Sequence, residues 1–268
     1  MEYLEGGRSN QIARIGGKVH RPAGEWTPYI HEFLNHIRSQ GFLGTPEPIG
    51  FDAEGNEIVS FISGEVSNYP LSKAAASVEA LISAAQLLRF YHDASVSFLD
   101  KLKGNEPWLL PTREPVEVIC HGDYAPYNVV LDYKRAVAII DFDTAHPGPR
   151  SWDIAYALYR WAPLTNPDNP DGFGSELEKI DRCRLFCDVY GLSERSRSGL
   201  ISTMVERLQL LVAFMRSKAD SGDETFRANI ADGHHIAYLA DIEYLKANAV
   251  GLQAGLSTGN GAYPYGSI

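Results

Sequence analysis

The 268-residue sequence predicts a bilobal α+β fold, with a small β-rich N-terminal lobe and a larger, mainly helical C-terminal lobe. Short runs that alternate polar and apolar residues, separated by glycine turns, occupy much of residues 1–63, and such runs are typical of strands joined in hairpins. From residue 64 onward, apolar residues recur at helical spacing over long segments. Because Ser63-Gly64 interrupts the pattern, we place the boundary between a lobe of residues 1–63 and a lobe of residues 64–268 here.

The N-terminal lobe is predicted to contain four strands and one helix. The strands are expected near residues 10–15, 18–21, 47–51 and 57–61. Gly16-Gly17 supplies the turn of a hairpin between the first two of them. Thr27 is expected to cap a helix that begins at Pro28 and ends at Gly41, because threonine accepts hydrogen bonds from helix N-terminal amides and proline suits the first helical position.

The C-terminal lobe is predicted to combine long helices with three short strands. The helices are expected near residues 72–90, 152–161, 175–190, 194–218 and 223–248. The strands are expected near residues 116–120, 128–131 and 136–140. The last two strands are close enough in sequence to form a hairpin, which would bring the polar residues at their ends together.

Composition and charge oppose several classes of function. The formal net charge of −10 opposes non-specific binding to nucleic acid or to anionic membranes. No apolar run is long enough for a membrane-spanning helix, and the N-terminus lacks the pattern of a secretory signal. The three cysteines are too few for a disulfide framework and indicate a reducing compartment: Cys120, Cys183 and Cys187. We therefore expect a cytoplasmic protein without nucleic-acid or membrane partners, and the sequence leaves its oligomeric state open.

One segment has the residues of a catalytic site. His121-Gly122-Asp123 follows an apolar strand, Asn128 heads the next strand, and Asp141 ends the hairpin partner. This order gathers Asp123, Asn128 and Asp141 at one end of a small sheet. Amide and carboxylate oxygens are ligands that Mg²⁺ takes together with phosphate oxygens, which leaves Asp123 to accept a proton from an incoming hydroxyl. The spacing therefore predicts phosphoryl transfer from a nucleotide.

The same residues resemble a known family. His121-Gly122-Asp123-x4-Asn128 and Ile140-Asp141-Phe142-Asp143 are similar to the two catalytic motifs of the aminoglycoside phosphotransferase family, small-molecule relatives of the protein kinases. The stretch from Gly148 to Ala155 resembles the start of the helix that follows them. The resemblance implies a protein-kinase-like fold, ATP or GTP as phosphoryl donor, Mg²⁺ as cofactor, and a small-molecule hydroxyl as acceptor.

The resemblance also implies roles for the motif residues. Asp123 is expected to be the catalytic base, and Asn128 and Asp141 are expected to bind Mg²⁺. His121 belongs to the catalytic motif, where we favour a bracing histidine that bonds to the backbone. Asp143 replaces the glycine of the corresponding protein-kinase triplet, and its role stays open between a supporting hydrogen bond and contact with substrate.

The nucleotide side departs from the protein-kinase pattern. Arg21 aligns with the lysine that pairs with the nucleotide phosphates, and arginine can also bind phosphate, although Lys18 is an alternative in another register. The expected helix partner of this cation is Glu32 or, less suitably because it is not an anion, His31. The other candidate nucleotide-binding residues lie in the glycine turn and at the hinge: Gly6, Gly7, Ser60, Phe61 and Ile62.

The acceptor cannot be named from the sequence. Acidic residues in the C-terminal helices and loops would suit a cationic acceptor such as an aminoglycoside, but each is also typical of a solvated surface: Asp168, Asp171, Asp232, Asp241 and Glu243. An antibiotic-resistance role is therefore one option among several. Asp153 is expected to hold a helix or the catalytic loop rather than to take part in the chemistry.

Two other functions remain open. The chain also resembles trifolitoxin immunity domain proteins, which suggests a binding or immunity protein on the same scaffold, catalytically weak or inactive. The missing lysine and the short glycine turn favour this hypothesis, whereas the intact Asp123, Asn128 and Asp141 oppose it. A further hypothesis is nucleotidyl transfer, with ATP reversed in the cleft. Nucleotide binding and the mass of the product would distinguish them.

Overall fold

The computed structural model describes residues 2–4 and 12–257 of the chain. Five antiparallel strands form one sheet in the order β1-β2-β3-β5-β4. Their bounds are β1 Glu2–Tyr3, β2 Ala13–Ile15, β3 Lys18–Arg21, β4 Pro48–Phe51 and β5 Glu57–Ser60. The sheet is followed by a mainly helical part, so the predicted α+β fold class is confirmed.

The first hairpin and the first helix form where the sequence predicts them. Ile15 pairs with Lys18 across the β2–β3 turn, and helix α1 spans Thr27–Ser39. The helix buries one apolar stripe, as the helical spacing predicts: Ile30, Phe33, Leu34 and Ile37. The predicted capping role of Thr27 is wrong, because its hydroxyl accepts the N–H of Gly24, which precedes the helix, at 2.8 Å.

The helical part surrounds two small two-stranded sheets. Its helices are α2 Val78–Ser95, α3 Arg150–Trp161, α4 Glu176–Tyr190, α5 Glu194–Arg197, α6 Leu200–Asp220, α7 Glu224–Ala231, α8 His234–Ala247 and α9 Ala249–Ser257. Its strands are β6 Val118–Cys120, β7 Val129–Asp132, β8 Arg135–Ile139 and β9 His146–Gly148. β7 and β8 form the predicted hairpin, while β6 pairs with β9, a strand that the sequence analysis did not predict.

Three predicted helices have different bounds in the structure. The helix expected over 194–218 is divided at Gly199, and the one expected over 223–248 is divided at Gly233. Both glycines have positive φ, a backbone conformation that ends a right-handed helix. Helix α2 begins at Val78 because the side chain of Ser77 caps its N-terminus by accepting the N–H of Ala80.

An aromatic cluster joins the first helix to the catalytic segment. The ring centre of Phe33, on α1, lies 5.2 Å from that of Phe98 and 6.0 Å from that of Tyr91. Its ring centre is also 6.5 Å from that of Phe142, which lies between Asp141 and Asp143. Such edge-to-face contacts stabilise a defined geometry, so the position of α1 is linked to the segment that carries both aspartates.

One segment is long and apolar enough to resemble a membrane span. Residues Glu194–Asp220 meet that description by length and composition alone, at a mean hydropathy of 1.2. Within it, α6 packs against α3, α7 and α8 and buries Leu200, Met204 and Leu208 in the core. Burial of this face accounts for its apolar composition, as in the core helix of a soluble protein.

Candidate active site

Asp153 holds the loop between β6 and β7 by accepting two of its backbone N–H groups. It lies buried on α3 and accepts the backbone N–H of His121 at 2.6 Å and that of Gly122 at 2.8 Å. His92 Nε2 donates to the same carboxylate at 3.1 Å, and His92 Nδ1 accepts from the hydroxyl of Tyr190 at 2.7 Å. The expectation that Asp153 holds the catalytic loop is therefore confirmed.

The pKa of Asp153 follows from these contacts. Burial alone raises the pKa of this carboxyl, but the hydrogen bond and charge of His92, with the N–H of Gly122, outweigh burial and lower it below its ordinary value. Burial likewise lowers the pKa of His92. The loop is thus anchored by a buried carboxyl whose pKa is lowered by its hydrogen-bond donors, beside a histidine whose pKa is lowered by burial.

His121 links the two catalytic segments through backbone groups. The N–H of Asp123 donates to His121 Nδ1 at 3.2 Å, and His121 Nε2 donates to the carbonyl of Ile140 at 3.0 Å. The side chain is fully buried and both of its ring nitrogens are occupied. His121 therefore positions Asp123 relative to Asp141, as expected for a histidine of the catalytic motif that braces the loop through the backbone.

The motif glycine is required by a close approach of two backbones. Gly122 has φ +81°, and a Cβ built on it would lie 2.4 Å from the carbonyl oxygen of Thr144. The hydroxyl of Thr144 donates to the carbonyl of His121 at 2.9 Å. A side chain at Gly122 would separate the catalytic loop from this segment.

Two donors orient the carboxylate of Asp123. The hydroxyl of Tyr127 donates to Oδ1 at 2.7 Å, and the amide of Asn128 donates to Oδ2 at 3.0 Å. The hydroxyls of Tyr127 and Tyr156 are 3.1 Å apart. Tyr127 was not selected from the sequence, although its position four residues after Asp123 in the same loop was a usable signal.

Asn128 and Asp141 are brought together as predicted. The N–H of Ile140, the residue before Asp141, donates to the carbonyl of Asn128 at 2.9 Å. Asn128 Nδ2 donates to the backbone carbonyl of Asp123 and to its carboxylate. The side-chain amide oxygen of Asn128 is therefore the atom suited to a cation. Asp141 has φ +62°, unusual for a residue other than glycine, and its side chain is 38% exposed. These oxygens fit Mg²⁺ that also binds phosphate oxygens.

Arg21 faces three carboxylates at this end of the cleft. It donates to Asp141 Oδ1 at 2.7 Å and to Asp143 Oδ1 at 2.9 Å, and its Nε donates to Glu57. Burial lowers the pKa of Arg21, but the charges of Asp143, Asp141 and Glu57 outweigh burial and raise it above its ordinary value. The structure thus places Arg21, rather than Lys18, beside Asp141.

The carboxylate partner of Arg21 is on a strand and not on the helix. Glu57 lies directly opposite Arg21 in the β3–β5 register, and it also accepts a hydrogen bond from His31 Nε2 at 2.9 Å. Burial raises the pKa of Glu57, but His31 and Arg21 outweigh burial and lower it. Glu32 is exposed on another face of α1, so its expected pairing with Arg21 is corrected. An acidic residue inside an otherwise apolar strand was the missed signal for Glu57.

The hinge residues lie at the end of β5, where the chain leaves the sheet. The N–H of Ser60 donates to the carbonyl of Glu47 at 2.9 Å, and the N–H of Phe61 donates to that of Gly17 at 2.8 Å. Both N–H groups are therefore engaged within the sheet region, and nucleotide binding by these hinge residues stays a prediction. Ile62 follows them. The predicted phosphate-covering glycines, Gly6 and Gly7, lie outside the described residues.

The acidic candidates for acceptor binding are not gathered at the site. Asp241 is fully buried and accepts hydrogen bonds from Tyr159, Asn166 and Asn169, so it organises the loop after α3. The other four candidates lie outside the lining of the cavity beside Asp123: Asp168, Asp171, Asp232 and Glu243. The acidic acceptor pocket suggested by the sequence is therefore corrected.

A cavity of about 680 Å³ opens beside Asp123. Its aromatic walls include Tyr127, Trp152, Tyr156, Phe214, Phe226 and Tyr238. Arg113 and Arg207 also line it. A molecule bound here would have flat apolar faces around it and the catalytic carboxylate at one end.

Comparison with known proteins agrees with this geometry. The phosphotransferase enzyme family matches residues 99–184, which include the whole catalytic loop. The chain is 33% identical over 211 residues to the trifolitoxin immunity protein of Rhizobium leguminosarum bv. trifolii, covering 75% of this chain and 78% of that protein.

Solved structures show the same fold at low sequence identity. A choline/ethanolamine kinase family protein from Mesorhizobium loti has a TM-score of 0.59 at 14% identity, covering 92% of this chain and 89% of that one. An aminoglycoside phosphotransferase from Alicyclobacillus acidocaldarius has a TM-score of 0.51 at 16% identity, covering 90% and 92%. With its catalytic motifs and its relationship to the trifolitoxin immunity protein, the chain belongs to the aminoglycoside phosphotransferase family of phosphotransferase enzymes.

Proposed function

We propose that this protein transfers the γ-phosphoryl group of ATP or GTP to a hydroxyl group of a small molecule. The observation that supports this most strongly is the position of Asp123. Its carboxylate is oriented by Tyr127 and Asn128, it lines the cavity of about 680 Å³, and Asn128 connects it to the segment of Asp141.

The proposed reaction uses Asp123 as the base. An acceptor hydroxyl in the cavity gives its proton to a carboxylate oxygen of Asp123, and its oxygen forms a bond to the γ-phosphorus. The bond from the γ-phosphorus to the bridging oxygen breaks, and the nucleoside diphosphate leaves. Tyr127 and Asn128 keep the carboxylate oriented before the proton moves.

The charges in the cleft suit a divalent cation with its nucleotide. Among the described residues, one guanidinium, that of Arg21, faces the three carboxylates of Glu57, Asp141 and Asp143. Asn128 and Asp141 would hold Mg²⁺, which when bound neutralises charge on the phosphates. Arg21 is the proposed contact to phosphate.

In this proposal residues 1–63 form the nucleotide-binding lobe, residues 64–268 form the catalytic lobe, and the protein acts in the cytoplasm.

A binding or immunity protein without turnover is the second candidate. Two observations favour it: the name of the trifolitoxin immunity protein, at 33% identity, and the direct ion pair between Arg21 and Asp141 at 2.7 Å. If this pair persists when nucleotide is offered, the proposed magnesium ligand stays occupied. Nucleotide binding therefore distinguishes the two candidates.

Thermal unfolding with Mg²⁺ and ATP, GTP or no nucleotide tests the proposal. At 100 times its Kd, a nucleotide should stabilise the wild-type protein by about 2.7 kcal/mol. We expect Asp141→Ala to lose this stabilisation. Asp132→Ala removes an exposed carboxylate from the same hairpin and should retain it. No stabilisation of the wild type by either nucleotide would contradict the phosphotransferase proposal and favour the binding protein.

The acceptor remains to be identified by turnover. An aminoglycoside-like antibiotic is the acceptor that the family resemblance suggests, and the mass of the product would show whether a phosphoryl or a nucleotidyl group has been added. The charge of the cavity bears directly on this choice.

A further inference from the structure

Two arginines line the cavity beside Asp123, and their surroundings differ. Arg113 forms an ion pair with Glu206, with Nη1 3.0 Å from the carboxylate, so its charge is compensated. Arg207 is permanently charged and forms no ion pair among the described residues. The cation of this lining that is able to pair with an anionic group is therefore Arg207.

Arg207 is buried without a carboxylate partner within the described part of the chain. It is 7% exposed, donates to the carbonyl of Gly122, and has no hydrogen-bond partner at Nε. Its guanidinium carbon lies 4.4 Å from the ring centre of Tyr156 and 5.6 Å from that of Trp152. Buried charges in proteins are ordinarily paired, so Arg207 has the capacity to bind an anionic group.

His146 adds an acceptor to the same cavity. Its Nδ1 donates to the carbonyl of Thr144 at 2.8 Å, which leaves the lone pair on Nε2. The side chain is fully buried, and its Nε2 has no partner among the residues that the structure describes. The ring would have to move before a bound molecule could donate a hydrogen bond to Nε2, so the pairing of an anionic group in this cavity rests on Arg207.

Flat side chains complete the cavity. The guanidinium of Arg113 lies 3.6 Å from the ring centre of Trp152, so this ring is held in place by a cation on its face. Trp152 and Tyr156 both line the cavity. Aromatic rings favour stacked or edge-on contact with another ring, and such walls select a planar molecule over a flexible polar one.

We propose that the acceptor is a hydroxyl compound with a flat ring and an anionic group such as a carboxylate. Its anionic group pairs with Arg207, its ring packs against Trp152 and Tyr156, and its hydroxyl faces Asp123. This inference rests on the proposed phosphotransferase function, because it takes the cavity as the acceptor site.

A polycationic acceptor does not meet these conditions. It would bring ammonium groups beside Arg207, which has no carboxylate partner among the described residues, and like charges at short distance are unfavourable. Asp123 is the one carboxylate among the described lining residues, and Tyr127 and Asn128 already engage it. The cavity therefore disfavours an aminoglycoside.

Calorimetric titration of the full chain with three matched probes tests the inference. The probes share a naphthalene ring and a hydroxymethyl group and differ in one substituent: a carboxylate, a carboxamide or an aminomethyl group. We expect the carboxylate probe to bind at least about tenfold more tightly than the carboxamide, because a hydrogen bond to a charged group is stronger than a neutral one. The aminomethyl probe should bind most weakly.

Two variants on α6 locate the source of this preference. Arg207→Met should remove it, leaving the Kd values of the carboxylate and carboxamide probes within about threefold of each other. Arg216→Met removes the same charge from an exposed position of the same helix and should keep the preference. If Arg207→Met does not fold, the ranking of the three probes on the wild-type protein still tests whether the cavity prefers an anionic ligand.

Equal binding of the three probes, tightest binding of the aminomethyl probe, or no binding of any of them would overturn the inference. So would a preference for the carboxylate probe that survives Arg207→Met. Nucleotide stabilisation is measured separately. A protein that binds nucleotide but prefers the aminomethyl probe overturns this inference alone. One that prefers the carboxylate probe but binds no nucleotide overturns the phosphotransferase proposal and keeps the anion site.

Discussion

Arg21 and Arg207 are two largely buried arginines, one beside Asp141 and the other beside Gly122, and their surroundings differ in charge. Arg21 contacts three carboxylates, those of Glu57, Asp141 and Asp143. Arg207 contacts a backbone carbonyl and two aromatic rings, with no carboxylate partner among the described residues. The same type of side chain is therefore surrounded by carboxylates at one position and by neutral groups at the other.

The surroundings of Arg21 and of Arg207 suit different kinds of ligand. The three carboxylates around Arg21 suit a divalent cation that arrives with phosphate. An unpaired guanidinium at Arg207 suits an anion. Arg207 contacts the loop of Asp123 at Gly122, and Asn128 links that loop to the segment of Asp141.

Asp123→Asn should have the largest effect, because it removes the proposed proton acceptor while it keeps the size of the side chain. We expect turnover to fall by about 10²–10⁴-fold, measured as nucleoside diphosphate released with an identified acceptor. Nucleotide-induced stabilisation should remain, because neither proposed magnesium ligand has changed. Turnover equal to that of the wild type would contradict the base assignment.

Arg21→Met should have the largest effect on stability. It removes the guanidinium from buried Glu57, and breaking a buried ion pair from one side costs about 3–5 kcal/mol of unfolding free energy. Urea denaturation measures this loss. Arg14→Met, which removes an arginine from the neighbouring strand where it pairs with exposed Glu2, is the control and should cost less than about 1 kcal/mol. A loss as small as the control's would show that the carboxylates do not depend on Arg21.

Arg207→Met should change the unfolding free energy by no more than about 1 kcal/mol, because it leaves no carboxylate unpaired and removes the cost of burying a charge. The methionine side chain is of similar length and should keep part of the packing of Arg207 against Trp152 and Tyr156. Urea denaturation beside Arg21→Met measures the contrast directly. A loss equal to that of Arg21→Met would mean that Arg207 is compensated in the folded protein, which would weaken the anion-site inference.

A pH-dependent effect concerns His92, which donates to the carboxylate that holds the loop of Asp123. Burial lowers the pKa of His92 from its ordinary value of 6.5, so the unfolded chain binds a proton that the folded protein does not. The stability that this group contributes is complete above pH 6.5 and is lost as the pH falls from 6.5 through its folded-state pKa. Between these two values the unfolding free energy should fall by up to about 1.4 kcal/mol per pH unit for one proton, and below the folded-state pKa the slope should vanish.

His92→Gln should flatten this pH dependence, measured as the unfolding free energy between pH 7 and pH 5. His234→Gln replaces an exposed histidine and should leave the slope as in the wild type. The pKa of Asp153 is also lowered, but its contribution is lost only at more acidic pH, below its ordinary value. An unchanged slope in His92→Gln would show that this histidine is not held neutral.

The catalytic segment could be predicted from the sequence because its contacts are local. Asp123, Asn128 and Asp141 lie within one loop and one hairpin, so their spacing alone brings them together. Local residue chemistry also suggested that His121 braces the loop. Contacts between distant elements could not be found in this way. Arg21 meets Glu57 only because β3 pairs with β5 in one particular register.

The predicted acidic acceptor residues were wrong for the same reason, because their surroundings depend on contacts between distant elements. Asp241 is acidic and lies on a helix, but whether such a residue faces a ligand, solvent or a buried loop depends on helix packing. The structure buries it against Asn166 and Asn169. Arg207 and Gly122 are 85 residues apart in the chain, and no spacing rule connects them.

The sequence by itself determined the two-part α+β architecture, the catalytic hairpin and the identity of the groups that can bind a cation and accept a proton. These features depend on hydrophobic period, turn residues and short spacings. Only the tertiary structure decided which carboxylates surround Arg21 and what charge the acceptor cavity carries. Both depend on which side chains meet across separate strands and helices, and a long-range contact is fixed by packing rather than by proximity along the chain.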